Sequence, residues 1–575
     1  MRTVGGGVAS MGQNADLVLT GGAVYTVDAA RSWAQAVAVR DGRIAAVGTD
    51  AEIADLAGPR TERIDLAGRM LLPAFTDAHV HASAGGLERA RCDLSGVHSL
   101  EEYLAAVRRY AEANPGTGWI TGGGWAMDVF PGGTPRREDL DAAAGDRPVF
   151  LSNRDHHAAW VNSKALALAG VSAATADPAD GRIERDARGE PAGTLQEGAM
   201  NLVQRAVPAP TLEEQVAGIC EGQRYLHSLG ITAWQEAIVG DYAVTPDCFD
   251  AYLEAQRRGL LTGRVTGALW WQRGTGAAQL GYLIERRERA SAAAREAGPG
   301  RQRFRATTVK IMQDGICENH TAALLGPYLD GAGHETASSG LSYFDADELR
   351  DFVREIDSSG FQVHFHAIGD RAVRECLDAV AAARAANGPA RGRHHIAHLQ
   401  VVHPDDLPRF RELGVAANCQ PLWACAEPQM TELTLPFIGP QRAGWQYPFG
   451  SLARAGALLA FGSDWPVSSP DPLALIHVAV NRTVAPGAGF GVGASGDGPP
   501  FLPAERLTLP EAIAAATIGS AWVNHAEAEM GSIEPGKRAD LVVLDRNLFA
   551  HPVAEIALAR VDLTIADGAV VVGRG

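Results

Sequence analysis

Short runs in which apolar and polar residues alternate open and close the chain, and a different rhythm fills the stretch between them. From residue 16, DLVLTGGAVYTVDAARSWAQAVAVRDGRIAAVG alternates in short segments broken by Gly-Gly and Asp-Gly, the pattern of antiparallel strands joined by tight turns. The same texture returns in GSIEPGKRADLVVLDRNLF and VDLTIADGAVVVG near the other end. Pairing residues 16–70 with 530–575 predicts one small, discontinuous β-sandwich domain made by both chain ends, with everything else inserted into it. Residues 1–15 read as a flexible tail.

The middle repeats one unit. In DADELRDFVREIDSSGFQVHFH a helix starts at a cap, Asp345, with Glu348 three residues on; it ends near Gly360 and an apolar strand follows. The same helix, glycine, strand order recurs in DRAVRECLDAVAAARAANGPARGRHHIAHL, HPDDLPRFRELGVAANCQP, PFGSLARAGALLAFGSDW and TLEEQVAGICEGQRYLHSLGITAWQEA. With RMLLPAFTDAHVH, GRVTGALWW and RATTVKIMQD these make eight strands, which predicts an α/β fold: a (β/α)8 TIM barrel over residues 71–529. The first two strands stand too far apart for one barrel repeat, so a subdomain of about 82–228 is inserted there, with its own capped helix, SLEEYLAAVRRYAEANPG. Loops after barrel strands surround the active site, so this insertion overhangs it.

Composition narrows the class. The net charge of -17 has no long acidic run behind it and disfavours nucleic acid and anionic membranes as partners. No apolar stretch reaches the roughly 18 residues of a membrane helix, and the opening lacks the apolar core of a signal peptide. Seven scattered cysteines with no CxxC pair argue against a disulfide framework and a cysteine zinc site. The expectation is a cytoplasmic protein acting on a small molecule, for which a homodimer would be an ordinary assembly.

The ends of the strands carry the chemistry. His79 and His81, one residue apart, point the same way from a strand end, which aims two imidazoles at one spot. The fourth strand offers Lys310, the fifth His364 and His366, the sixth His398, and the eighth Asp464. Imidazole and carboxylate donors suit zinc and similar divalent ions, and an open coordination position lets a bound water lose its proton near neutral pH. A lysine ammonium has no lone pair, so Lys310 ligates only as a carbamate or a free amine, or else pairs with a carboxylate such as Asp314. His394 and His395 read as structural, or as partners of a ligand.

FTDAHVH, the lysine of VKIMQDG, HAIGDRAV, HLQVVHPDD and FGSDWPV, in that order, resemble the amidohydrolase superfamily. GGGW, DHHAAWVNSKAL, EPAGTLQEGAM and EPGKRADLVVLD narrow the resemblance to the metal-dependent branch that includes N-substituted formamide deformylases, the family 3 type, over nearly the whole chain. The resemblance implies that His79 and His81 bind one metal, that Lys310, carboxylated, bridges two, and that His366 and His398 bind the second. It implies that Asp464 binds metal and is the general base, and that one or two divalent ions, zinc above all, serve a hydrolase of C–N bonds other than peptide bonds. His366 is favoured over His364 by the flanking AIGD.

Trp125, His156 and His157 in the insertion, with His320 and Trp423 from later loops, are the candidate substrate-binding residues. An amide or N-substituted formamide is the expected substrate. The alternatives are hydrolytic deamination of a heterocycle, which on this scaffold resembles a site with a glutamate shortly after the fifth-strand histidine, absent from HAIGD, and a non-catalytic relative that only binds a ligand.

Overall fold

Eight parallel strands stand at the centre of the computed structural model, which describes residues 14–116, 118–154, 156–178, 181–242, 246–298, 300–389, 392–486 and 498–573. They are β1 (Phe75–Val80), β2 (Ile231–Val239), β3 (Arg264–Trp270), β4 (Phe304–Met312), β5 (Gln362–Ala367), β6 (His395–His398), β7 (Ala416–Cys419) and β8 (Leu459–Phe461). Each pairs in parallel with the next, from β1 to β8. The seam between β8 and β1 is closed just beyond the strand ends, where Asp464 N donates to His79 O (2.7 Å) and His81 N to Trp465 O (2.8 Å). The closing bonds therefore belong to the residues that the sequence marks for chemistry.

Local pattern explains the outer helices. Helix Ala346–Ser358 starts at Asp345, whose carboxylate accepts from Asp347 N (2.9 Å), and buries Leu349, Val353 and Ile356, spaced as one helical face. Each such side chain contributes about 1.5–3 kcal/mol by leaving water. Gly360, at φ +78°, then turns the chain into β5 in a conformation that side chains disfavour.

The apolar run Met70–Val80 divides where no pattern marks a break. Met70–Pro73 pairs antiparallel with Leu541–Leu544 in a sheet of the chain ends, and only from Phe75 does the run enter the barrel. Both halves are wholly buried, so neither shows an alternation that would separate them. Strands 569–573, 561–566, 541–544, 70–73, 23–25 and 33–34 form that sheet in this order, and 43–48, 36–40, 15–20 and 57–65 form a second. Leu17, Val37, Leu71, Leu541, Val543 and Ile565 share one core between them. The expected tail lies almost wholly outside the described residues, and Ala15 already pairs with Ala57.

An ion network fastens these sheets to the barrel. Arg264, at the start of β3, pairs with Asp540 and Asp567; Arg303, just before β4, also pairs with Asp567, which Arg538 reaches at 3.0 Å. Asp540 is buried, and removing one partner of a buried pair leaves an uncompensated charge. Asp540→Ala is expected to destabilise the fold by about 3–5 kcal/mol in chemical denaturation, with metal content of the folded fraction unchanged.

Between β1 and β2 the chain builds a further sheet, in the order 181–185, 191–197, 158–161, 149–153, 120–125, 92–93. Tyr103, Val107, Trp125, Leu140 and Trp160 fill a core of its own. Helix Ala82–Arg89, which leaves β1, lies directly on helix Leu212–Ser228, which leads to β2. A methyl group at Gly86 would meet Gly218 O at 1.9 Å, so only glycine permits this approach. Among the described residues no helix is long and apolar enough to cross a membrane.

Candidate metal centre

Strand alternation puts Asp77, His79 and His81 on one face of β1 and its exit, and the eighth strand brings Asp464 to meet them. Asp464 Oδ1 lies 3.0 Å from His79 Nε2 and 3.0 Å from His81 Nε2. Ligand atoms of His79, His398 and Asp464 all fall within 4.8 Å of one another. The His366 ring stands 4.4 Å from that of His398, and Trp423 stacks on His398 at 5.6 Å. Sequence separations of hundreds of residues thus collapse to one floor of the barrel mouth.

The state of these atoms tests whether they suit a cation. His398 Nδ1 and Lys310 Nζ are buried without a hydrogen-bond partner among the described residues, while Asp464 Oδ1 faces the two imidazoles of His79 and His81 and His366 Nδ1 faces Asp314 Oδ1. Burial, with Lys310 beside it, pushes the His79 imidazole down to about 3, so the ring is neutral and carries a lone pair. Burial likewise holds His398 well below its ordinary range. Burial raises the Asp464 carboxyl, but the surrounding histidines outweigh it and keep it well below the usual carboxylate range. A carboxylate among imidazoles is a ligand set for zinc-like ions, and a cation supplies a partner for the buried His398 nitrogen. The residues fit the group.

Supporting residues hold the floor. Asp77 accepts from His79 N and Ser463 N, each at 3.0 Å, and so ties β1 to the β8 exit. His364 places Nε2 2.8 Å from His79 Nδ1, and its ring lies 4.1 Å from that of His395. His395 Nε2 in turn meets Gln235 Oε1 at 3.0 Å. His364 therefore backs a ligand, and with Nδ1 of His79 engaged there, Nε2 is the atom turned to Asp464. Asp464 (φ +57°) and His398 (φ +80°) are held in a left-handed backbone that non-glycine residues rarely adopt, a strain met at functional sites.

Lys310 does not pair with Asp314. Asp314 is engaged by the backbone N–H groups of Ala323, Ile368 and Gly369, and its Oδ1 stands 3.2 Å from His366 Nδ1. Lys310 lies wholly inside, and burial draws its amine down to about 7.

A cavity rises from this floor. His79, His81, Lys310, His366, His398 and Asp464 line it together with Trp125, His156, His157 and Trp423. Trp125 is packed edge-on against Phe130 and Trp160, with its indole N–H donating to Leu151 O (2.9 Å), so it forms a fixed wall. His320 is not among the lining residues; it stacks on Tyr328 at 4.9 Å. Besides Asp77, two further carboxylates escaped the sequence reading. Glu236 on β2 is bonded by Ser83 and Tyr252 and pushed by burial up to about 7. Glu197 in the insertion receives His157 and Asn319. The two-residue spacing of Asp77 from His79 is a signal that strand alternation offers; Glu197 has none, because its partners stand far away in the chain.

Comparison with known proteins agrees with this geometry. The chain is 32% identical to LONG AFTER FAR-RED 3 of Arabidopsis thaliana, over 93% of this chain and 88% of the relative. It is 29% identical to the N-substituted formamide deformylase of Arthrobacter pascens, over 97% and 98%. The crystal structure of a metal-dependent hydrolase from Pyrococcus furiosus superposes with a TM-score of 0.68 at 29% identity, over 92% of this chain and 99% of that one. The profile of the Amidohydrolase family matches residues 62–572. With its parallel barrel, its convergent histidines and Asp464 at their centre, this chain belongs to the amidohydrolase family, a metal-dependent hydrolase acting on C–N bonds.

Proposed function

We propose that the chain hydrolyses the amide C–N bond of a small, largely apolar N-substituted formamide or related amide, with Asp464 as general base. The observation that carries this reading is the Asp464 carboxylate, 3.0 Å from His79 and from His81, at the foot of a cavity whose walls include Met127, Ile238, Met312, Trp423 and Met430. Likeness to a deformylase along almost the full length of both chains supports it. His79 and His81 with Asp464 would hold one zinc-like ion and His366 and His398 a second, with Lys310, once carboxylated, serving both. When bound, such an ion supplies Lewis acidity that polarises a carbonyl and brings the pKa of water toward neutrality. Asp464, kept ionised by its neighbours, accepts the proton that water gives up on attacking the carbonyl carbon. Trp125 and Trp423 fix the walls that orient the substrate, and the insertion that carries Trp125 and His157 sets substrate choice.

Deamination is the weaker reading. The carboxylate nearest the fifth-strand histidine in sequence, Asp370, accepts from Leu325 N (2.8 Å) and faces Arg442 at 3.7 Å, so it is turned from the site. The test is a panel of N-formyl, N-acyl and cyclic amides and aminated heterocycles, assayed after metal analysis. Release of formate or another acid with a free amine is expected, chelation should stop it, and zinc or manganese should restore it. Ammonia from heterocycles with no amide turned over would overturn the proposal.

A further inference from the structure

The insertion brings a second polar device to the cavity. His157 and Glu197 stand one step beyond the antiparallel pair Ala158–Gln196, and Glu197 N donates to His157 O (2.9 Å). Their side chains meet as well: His157 Nδ1 lies 2.9 and 3.0 Å from the two carboxylate oxygens. Asn319, in the loop after β4, donates Nδ2 to Glu197 Oε1 at 2.8 Å. This bond ties the insertion to the loop that follows the strand carrying Lys310. Glu197 is held at φ +50°, a strained backbone in a residue that lines up a neighbour.

Resting on the proposed amide hydrolysis, we infer that His157, oriented by Glu197, is the proton donor to the leaving nitrogen. With Nδ1–H given to the carboxylate, Nε2 is the ring nitrogen left to the cavity, and it carries a proton to donate in the imidazolium form. As the adduct of water and amide collapses, the C–N bond breaks, its electron pair passes to nitrogen, and nitrogen takes the Nε2 proton. The products are the acid and the amine, and His157 regains its proton from solvent. Burial raises the Glu197 carboxyl, yet the His157 ring and the Asn319 amide outweigh it, so Glu197 is an anion that favours the imidazolium beside it. Arg273 also acts on Glu197, and His157 in turn acts on His366 and His156. His156 does not take this part: burial, with His81 beside it, pushes it down to about 4, so it is unprotonated near neutral pH. Its Nε2 faces Glu88 at 3.3 Å.

The experiment uses the metal-loaded enzyme and one acyl group on a series of amines, from nitroaniline to alkylamines. A weakly basic amine leaves without help, whereas an alkylamine must be protonated. His157→Gln is expected to lose about 10²–10³ in kcat/KM for alkylamides and less than about 10-fold for the nitroanilide, at unchanged metal content. Glu197→Gln, a positioning change, should show the same steepened dependence on the amine in smaller measure and a shifted acidic limb of the pH profile. If His157→Gln fails to fold, the Glu197→Gln series decides alone. A uniform loss across the amines, or a change in KM only, overturns the inference while amide hydrolysis stands. A wild-type enzyme that cleaves none of the series overturns the amide reading itself.

Discussion

Asp464→Asn is expected to lower kcat by about 10³ or more while the protein keeps at least part of its metal. The amide retains an oxygen that can face His79 and His81 at the 3.0 Å now seen, but its basicity is gone, and general-base catalysis contributes about 10²–10⁴. The backbone of residue 464 also closes the barrel through its bond to His79 O, and that bond is indifferent to the substitution. Steady-state kinetics beside metal analysis and thermal melting separate the outcomes. A variant that keeps metal and more than a tenth of the activity would remove Asp464 from proton transfer.

Lys310→Ala is expected to lower both metal occupancy and activity, each by 100-fold or more. Partners that merely orient ligands cost about 10–100-fold in metal affinity, so a ligand should cost at least as much. Its amine is buried without a partner and drawn by burial down to about 7, which leaves a sizeable neutral fraction near neutral pH. A neutral amine adds to carbon dioxide and releases one proton, giving an anionic carbamate that metal binding would favour. Falling pH should therefore weaken metal retention, because protonation of the amine removes the reacting lone pair. Short carboxylic acids should partly restore Lys310→Ala by supplying an oxygen pair in the vacated space. A side chain shown unmodified beside one fully bound ion would refute the carbamate and leave the hydrolase standing.

The sequence revealed what repeats or sits at a strand end. Alternation and the helix, glycine, strand rhythm located all eight barrel strands, because burial on both faces makes those runs uniformly apolar. The same uniformity concealed the division at Ala74, where one apolar run serves two sheets. His79, His81, His366, His398 and Asp464 were legible because a donor closing an apolar strand is conspicuous. His364 was legible only as the less favoured fifth-strand candidate, a ligand or the partner of one, and its contact with His79 was not, since two histidines on one face of β5 differ only in what the barrel places before them. Glu197 depends on a left-handed residue and an asparagine more than a hundred positions away, and neither leaves a local pattern.

The sheet that joins Met70–Pro73 to Leu541–Leu544 also has a bearing on how the protein is made. Synthesis delivers the first apolar strands, with Leu17, Val37 and Leu71, long before their partners Leu541, Val543 and Ile565 emerge from the ribosome. Through the whole translation of the barrel, strand 70–73 waits without its partner 541–544, and the apolar face of the first sheet waits without its cover, a state prone to association with other chains. Native closure of the core shared by the chain ends is thus a late event. The yield of folded protein, rather than the finished site, is therefore where chaperone supply is expected to tell.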